Sequence, residues 1–206
     1  INRCRKIAFT LAEVLITLAI IGVVAAMTLP TVINNQQKKT LEVSTKKFYS
    51  TLSQAVHKYM ADEGVDDLRL TPLASDNYDE NDSPEAKASL DTFVNNYLRV
   101  VKKCSGQDRC FADSYSSWNG RESVDDGIHY YNNYAYVLAD GSVVSISYYG
   151  LENCPGPIQI YVDVNGKKGP NIFGRDMREF TLKAKTRVGI DTTQDAVLVT
   201  HAPDLG

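Results

Sequence analysis

The pattern of apolar and polar positions divides the chain into three regimes. From Phe9 to Leu29, FTLAEVLITLAIIGVVAAMTL, 21 residues carry a single charge, Glu13. A helix needs about 20 apolar residues to cross a bilayer, and a carboxylate inside such a run is costly enough to suggest a function. Beyond it the pattern becomes amphipathic. Ile33, Leu41, Phe48, Leu52, Val56 and Tyr59 recur at helical spacings, with Lys38, Lys39, Glu42, Lys46, Lys47 and Lys58 between them. One helix from Phe9 to about Ala61 is expected, kinked at Pro30, which lacks an N–H and clashes with the preceding turn.

The remainder reads as shorter elements. Asp62–Asp82 is rich in Asp, Asn, Gly and Ser and predicts a surface loop. Ser83-Pro84-Glu85 has the order of a helix start, with Ser as the cap, Pro in the first turn and an acid beside it. Leu90, Phe93, Val94, Tyr97, Leu98 and Val101 form that helix's buried stripe, and Lys102-Lys103 suit its carboxyl-terminal end. From His129 the runs are β-prone. Tyr130–Ala139 and Ser142–Tyr149 flank Asp140-Gly141, a two-residue type I′ hairpin signal. Ile158–Val164, Phe180–Ile190 and Ala196–His201 predict three further strands. The fold class expected is α+β, a long amino-terminal helix packed on an antiparallel β-sheet head.

Ahead of the apolar run stand Arg3, Arg5 and Lys6, then Ala8. Basic leader, small residue, Phe9, and a helix with one early Glu: this resembles the amino terminus of type IV pilins and type II secretion pseudopilins. The resemblance implies that a prepilin peptidase cuts between Ala8 and Phe9 and methylates the new amine. It divides the chain into a leader (1–8), an apolar membrane and assembly helix (9–29), its amphipathic continuation (30–61) and an α+β head (62–206). A secretory signal differs, because its small-residue cleavage site follows the apolar stretch, whereas Ala8 precedes it. The chain opens with Ile1 rather than Met, which leaves a longer leader and an alternative start both open. Basic residues before the span orient the head out of the cytoplasm, so a single-pass protein of the bacterial inner membrane is expected, and later a periplasmic or extracellular filament.

Charge narrows the function. Loss of Ile1–Ala8 takes the basic count from 22 to 19 against 25 acidic side chains, and the formal charge from −3 to −6. A mildly acidic product argues against nucleic acid as the main partner. Glu13 has a clearer use. Cleavage before Phe9 creates an ammonium about one helical turn from it, and in a low-dielectric setting each charge is expensive alone. In the resembled family the matching glutamate pairs with the methylated amine of a neighbouring subunit; a pair within one chain is the simpler alternative.

Four cysteines are present, and Cys4 would leave with the leader. In an oxidising compartment pairing is expected. Cys104 and Cys110, in CSGQDRC, enclose a five-residue loop and are the first choice; a pairing of Cys154 with either stays open. The spacing is not that of a zinc site. The stretch Tyr161–Asp176, YVDVNGKKGPNIFGRD, resembles a carboxyl-terminal motif of pseudopilin-like proteins. Major pseudopilins bind calcium in a loop of their carboxyl-terminal sheet, which implies a site using Asp163, Asn165 and Asp176. Against it, Lys167 stands where a third oxygen ligand is expected, and a turn with Asp163 and Asn165 bonded to the backbone is the alternative.

No catalytic residues are expected. His57, His129 and His201 lie in no metal or nucleophile motif, and there is no GxSxG, HExxH or phosphate loop. The Tyr130, Tyr131, Tyr134, Tyr136, Tyr148 and Tyr149 cluster reads as cross-strand pairing before a carbohydrate or partner surface. The sequence therefore points to a filament subunit rather than an enzyme, most closely a type II secretion pseudopilin. A surface or DNA-uptake (minor) pilin and a non-polymerising membrane-anchored binding domain are the alternatives. The resemblance implies as partners further copies of itself, other minor pilins or pseudopilins, the peptidase, an assembly ATPase with its platform protein, and the membrane.

Overall fold

In the computed structural model the apolar run and the amphipathic stretch after it form one helix, α1 (Leu11–Asp62). The structure describes residues 9–75, 84–104, 108–117, 135–148, 158–183 and 197–200. The chain divides into two compact units, Ile1–Thr40 and Leu41–Gly206. In the first, the side chains of α1 are largely exposed, among them Leu11, Ile16, Ile20, Ile21, Val24 and Leu29. Among the described residues α1 is the one helix long and apolar enough to cross a membrane. Pro30 lies inside it, and the helix continues on both sides.

The amphipathic reading holds from Leu41 onward, where Leu41, Phe48, Leu52, Ala55, Val56 and Tyr59 make the buried face. Ile33, expected on the same stripe, is exposed; it belongs to the first unit, and the packed face starts a further two turns along. After α1 come a 3₁₀ turn (Leu68–Leu70), a short helix α2 (Pro72–Ser75) and a longer one, α3 (Pro84–Tyr97). α3 starts at the predicted proline, and Leu90, Phe93, Val94 and Leu98 are buried as its spacing requires. Its predicted cap, Ser83, lies outside the described residues.

Among the described residues six strands follow: β1 (Val100–Cys104), β2 (Ala135–Leu138), β3 (Val143–Tyr148), β4 (Ile158–Asp163), β5 (Met177–Lys183) and β6 (Val197–Thr200). They form one antiparallel sheet in chain order, each strand beside its sequence neighbour. Five strands were expected; the additional one is β1, where the sequence reads as the last turn of α3. The helix closes with Leu98 N–H donating to Val94 C=O, and Val100-Val101 enters the sheet. β-branched residues with a waiting strand partner outweigh the preference of Lys102 and Lys103 for a helix end. Val101 is 65 % exposed, not part of a helical stripe.

The β2–β3 connection also differs from expectation. Leu138 N–H donates to Ser142 C=O, and Gly141 N–H donates to Leu138 C=O. The loop is therefore Ala139-Asp140-Gly141, and of its residues only Gly141 has a positive φ, 87°. A type I′ turn needs positive φ at both central residues; a three-residue loop with glycine last needs it only at the glycine. Asp140 instead closes the turn by accepting from the Ser142 N–H and hydroxyl.

The alternation of strand side chains builds two cores, one on each face of the sheet. Tyr136, Leu138, Val144, Ile146, Ile158, Ile160, Val162, Phe180 and Leu182 face α1 and α3. Phe48 of α1 meets Phe180 with ring centroids 5.8 Å apart. On the other face Ala135, Val143, Tyr161 and Met177 pack with Cys104, Cys110, Phe111, Ala112 and Tyr115. The second face is thus covered by a short irregular segment, the part of the chain that periodicity reads as featureless.

Candidate functional site

At the amino terminus, Ala8 lies outside the described residues, and Phe9 is exposed. Thr10 and Glu13 form a reciprocal cap on α1. Thr10 Oγ1 accepts from Glu13 N–H at 3.3 Å, while Glu13 Oε2 accepts from Thr10 N–H at 2.8 Å and from its hydroxyl at 2.9 Å. This is the capping box of a Thr-x-x-Glu sequence, which satisfies two otherwise orphaned helix donors. Thr10 was missed in the sequence although its spacing from Glu13 is visible there. In a single copy, then, the carboxylate in the apolar run already has partners in its own chain.

In the head, a β-bulge aims the cysteine of β1. Val100 pairs with Leu138, but Lys102 pairs with Val137, so Val101 is inserted without a partner. The insertion turns Lys103 toward the helices, where Asp91 of α3 accepts from Lys103 Nζ and, at 2.7 Å, from the Tyr136 hydroxyl. Cys104 is turned to the opposite face, where it is bonded to Cys110. A bulge commonly re-aims a side chain in this way. Cys154 lies outside the described residues, as do Tyr130, Tyr131, Tyr134, Tyr149, His129 and His201. Tyr136 is fully buried, which makes it a core residue rather than part of a binding surface.

The cross-linked segment delivers Tyr115 to the start of the β4–β5 loop. Its hydroxyl accepts from Ala112 N–H at 3.2 Å and donates to Asp163 Oδ2. Asp163 Oδ1 accepts from Asn165 N–H at 3.1 Å, and Asn165 Nδ2 donates to the carbonyls of Lys168 and Gly169. At the far end, Asp176 Oδ2 accepts from Asn171 N–H, and Asp176 Oδ1 from the N–H groups of Ile172 and Met177. Gly166, with φ 65°, lies against the β2–β3 turn: a Cβ there would sit 2.9 Å from Gly141 O. Burial pushes the Asp163 carboxyl up to about 7, against the bonds from Tyr115 and Asn165, and the nearby Asp176 charge adds to the rise. Burial, with the Asp163 charge next, also raises the Tyr115 hydroxyl.

The structure brings Asp163, Asn165 and Asp176 into one loop, but as a hydrogen-bonded turn. Both carboxylates are fully buried, and all four of their oxygens already accept N–H or O–H bonds. Lys167, at the position where a third oxygen would be needed, is exposed. Asn165 Oδ1 and Asn171 Oδ1 are buried without hydrogen-bond partners, and amide oxygens of this kind serve as calcium ligands beside carboxylates. Among the described residues no three His, Cys, Asp or Glu side chains group as metal ligands would. As they stand, both carboxylates are engaged by protein donors, which is the turn reading of this stretch.

Comparison with known proteins addresses the two ends of this description separately. Residues 3–29 match the prokaryotic N-terminal methylation motif, the cleavage signal of type IV pilins and pseudopilins. With the long apolar helix and antiparallel sheet, the chain has an α+β, pilin-like architecture. Neither the curated proteins nor the solved structures gave a match. Residues 31–188, well over half of the chain, match a family of unknown function, DUF6613; the protein is a member of that family, and its amino terminus carries a prepilin-type cleavage motif.

Proposed function

We propose that this protein is the structural subunit of a type IV pilus-like filament, processed by prepilin peptidase and polymerised through its amino-terminal helix. The observation that carries the reading is the methylation motif over residues 3–29, which includes the exposed apolar stretch 9–29, where Glu13 is the only charge. Storage of the subunit in the inner membrane uses the same surface as assembly, because lipid and neighbouring apolar helices both satisfy it. Within this class the strand-to-loop stretch Tyr136–Asp176 supports a type II secretion pseudopilin. The engaged carboxylates of that loop favour a second reading, a surface or DNA-uptake minor pilin, because they depart from the calcium chemistry of a major pseudopilin. The subunit's work is structural, done with an assembly ATPase, a platform protein and other filament subunits.

Processing is the direct test. Co-expression with a prepilin peptidase should yield a chain that lacks Ile1–Ala8 and carries one methyl group on the Phe9 amine, read by intact mass and amino-terminal fragmentation. An unprocessed chain would instead favour a membrane-anchored binding domain. Deletion of the gene then separates the finer readings. Retention of exported enzymes in the periplasm supports the pseudopilin, and loss of surface filaments or DNA uptake supports the pilin.

A further inference from the structure

The β4–β5 loop carries three glycines or asparagines at positive φ, Gly166, Asn171 and Gly174, and a cis peptide bond before Pro170. Asp163 and Asp176 cap its two ends, and a bond from Val164 N–H to Asp176 C=O with the turn at Ile172 pairs its backbone from within. A further support reaches the loop from outside it. The segment from Cys110 to Ser116 runs alongside the loop and is bonded to it at three points. Ser116 N–H donates to Asn171 C=O at 2.9 Å, Phe173 N–H donates to Ser116 C=O at 2.8 Å, and the Tyr115 hydroxyl donates to Asp163. Phe173 of the loop and Met177 at the start of β5 pack with Phe111 and Tyr115 in the second core. The segment is in turn tied to β1 by the Cys104–Cys110 bond, for which the bulge at Val101 turns Cys104 to the correct face.

We propose that the disulfide-clamped segment Cys110–Ser116 organises the β4–β5 loop without a divalent cation, with Tyr115 as the positioning residue between them. The chain of cause is short. The cross-link fixes Cys110, the first residue of the segment, to the end of β1. Tyr115 is then held buried against Asp163, and the Ser116 backbone presents one donor and one acceptor to the loop. Loop order follows from the covalent staple and is indifferent to metal. This inference does not depend on filament assembly, since it concerns the second unit alone.

Hydrogen–deuterium exchange of the full chain in detergent micelles tests it. In the oxidised protein, amides of residues 110–116 and 163–177 should be protected to the same degree in excess EDTA and in millimolar calcium. In Cys104→Ser/Cys110→Ser they should exchange faster by about tenfold or more, the factor that accompanies loss of one hydrogen bond to a charged group. Protection in Leu41–Asp62 should be kept. Tyr115→Phe, with the disulfide intact, should loosen 163–177 and, within 110–112, speed exchange only at the Ala112 amide, which loses its hydroxyl acceptor. Calcium-dependent protection in the oxidised protein would overturn the proposal, and so would an unaltered loop in the cysteine variant. If that variant loses protection throughout β3 and β4, Tyr115→Phe decides: local loosening supports the role of Tyr115, and an unchanged loop refutes it.

Discussion

Asp163 shows how one buried side chain can set a pH dependence. Its carboxyl titrates near 7 in the fold against an ordinary value of 3.8, because burial disfavours its charge more than its hydrogen bonds favour it. The folded state therefore holds this proton more tightly than the unfolded chain. The stabilising contribution is fully present below about pH 4 and is lost as pH rises toward 7. Glu42 is shifted the opposite way by its bond to Lys46, so the readout is a difference between variants. Across pH 4 to 7.5, Asp163→Asn should lack the fall in melting temperature that the parent shows from this residue, measured by circular dichroism in detergent. A parallel pair of curves would show that Asp163 does not titrate in that window. Gly166 is the second residue at which one atom matters. Gly166→Ala places a Cβ 2.9 Å from Gly141 O at φ 65°. It should cost about 2 kcal/mol or more in urea unfolding, since the left-handed backbone alone costs roughly 1–2.

Among the elements, β1 departs furthest from what periodicity implies, and its single inserted residue has the widest effect. Deletion of Val101 should restore simple alternation, turn Cys104 toward the helices and Lys103 away from Asp91. The expected result is a folded chain with two additional reactive thiols by alkylation and mass spectrometry; retention of the cross-link would show that the bulge does not aim Cys104. The sequence contains the two β-branched residues of this strand, but not the neighbour that selects strand over helix. That neighbour, β2, lies more than thirty residues further along the chain. The β2–β3 hairpin is the reverse case. Asp140-Gly141 marks the turn and its glycine correctly, and only the loop length, settled by where the ladder resumes at Ser142, was unreadable. Helix α3 was legible from its proline and its apolar spacing, both local signals.

For the molecule as a whole, the capping box and the proposed intersubunit pair compete for one carboxylate. In a single copy Glu13 is satisfied by Thr10. In a filament the amine of a processed Phe9 on a neighbouring copy would be a charged partner, and a stronger one in apolar surroundings. Two variants separate these uses. Glu13→Ala should be processed normally but fail to form filaments in electron micrographs. Thr10→Val keeps the charge and loses only the hydroxyl's share of the cap, a loss of about 1 kcal/mol at a helix start, and should still assemble. Normal filaments from Glu13→Ala would remove the charge from the assembly mechanism.

What the sequence determined by itself is whatever depends on neighbours along the chain. This covers the apolar run with its one carboxylate, the helical face from Leu41 to Tyr59, the start of α3, the glycine of the hairpin and the strands β2 to β6. Each follows from a repeat of 2 or about 3.6 residues or from local turn chemistry. The tertiary structure decided whatever depends on partners distant in sequence. It recruited Val100-Val101 to an edge strand, turned Cys104 to the far face, and laid an aperiodic segment across that face. It also spent the oxygens of Asp163 and Asp176 on Tyr115 and on backbone N–H groups. Asp163 and Asn165 at alternate positions fit a calcium loop or a hydrogen-bonded turn equally well on paper. In the structure Asp163 accepts from a hydroxyl 48 residues away in sequence, a donor that only folding brings to it.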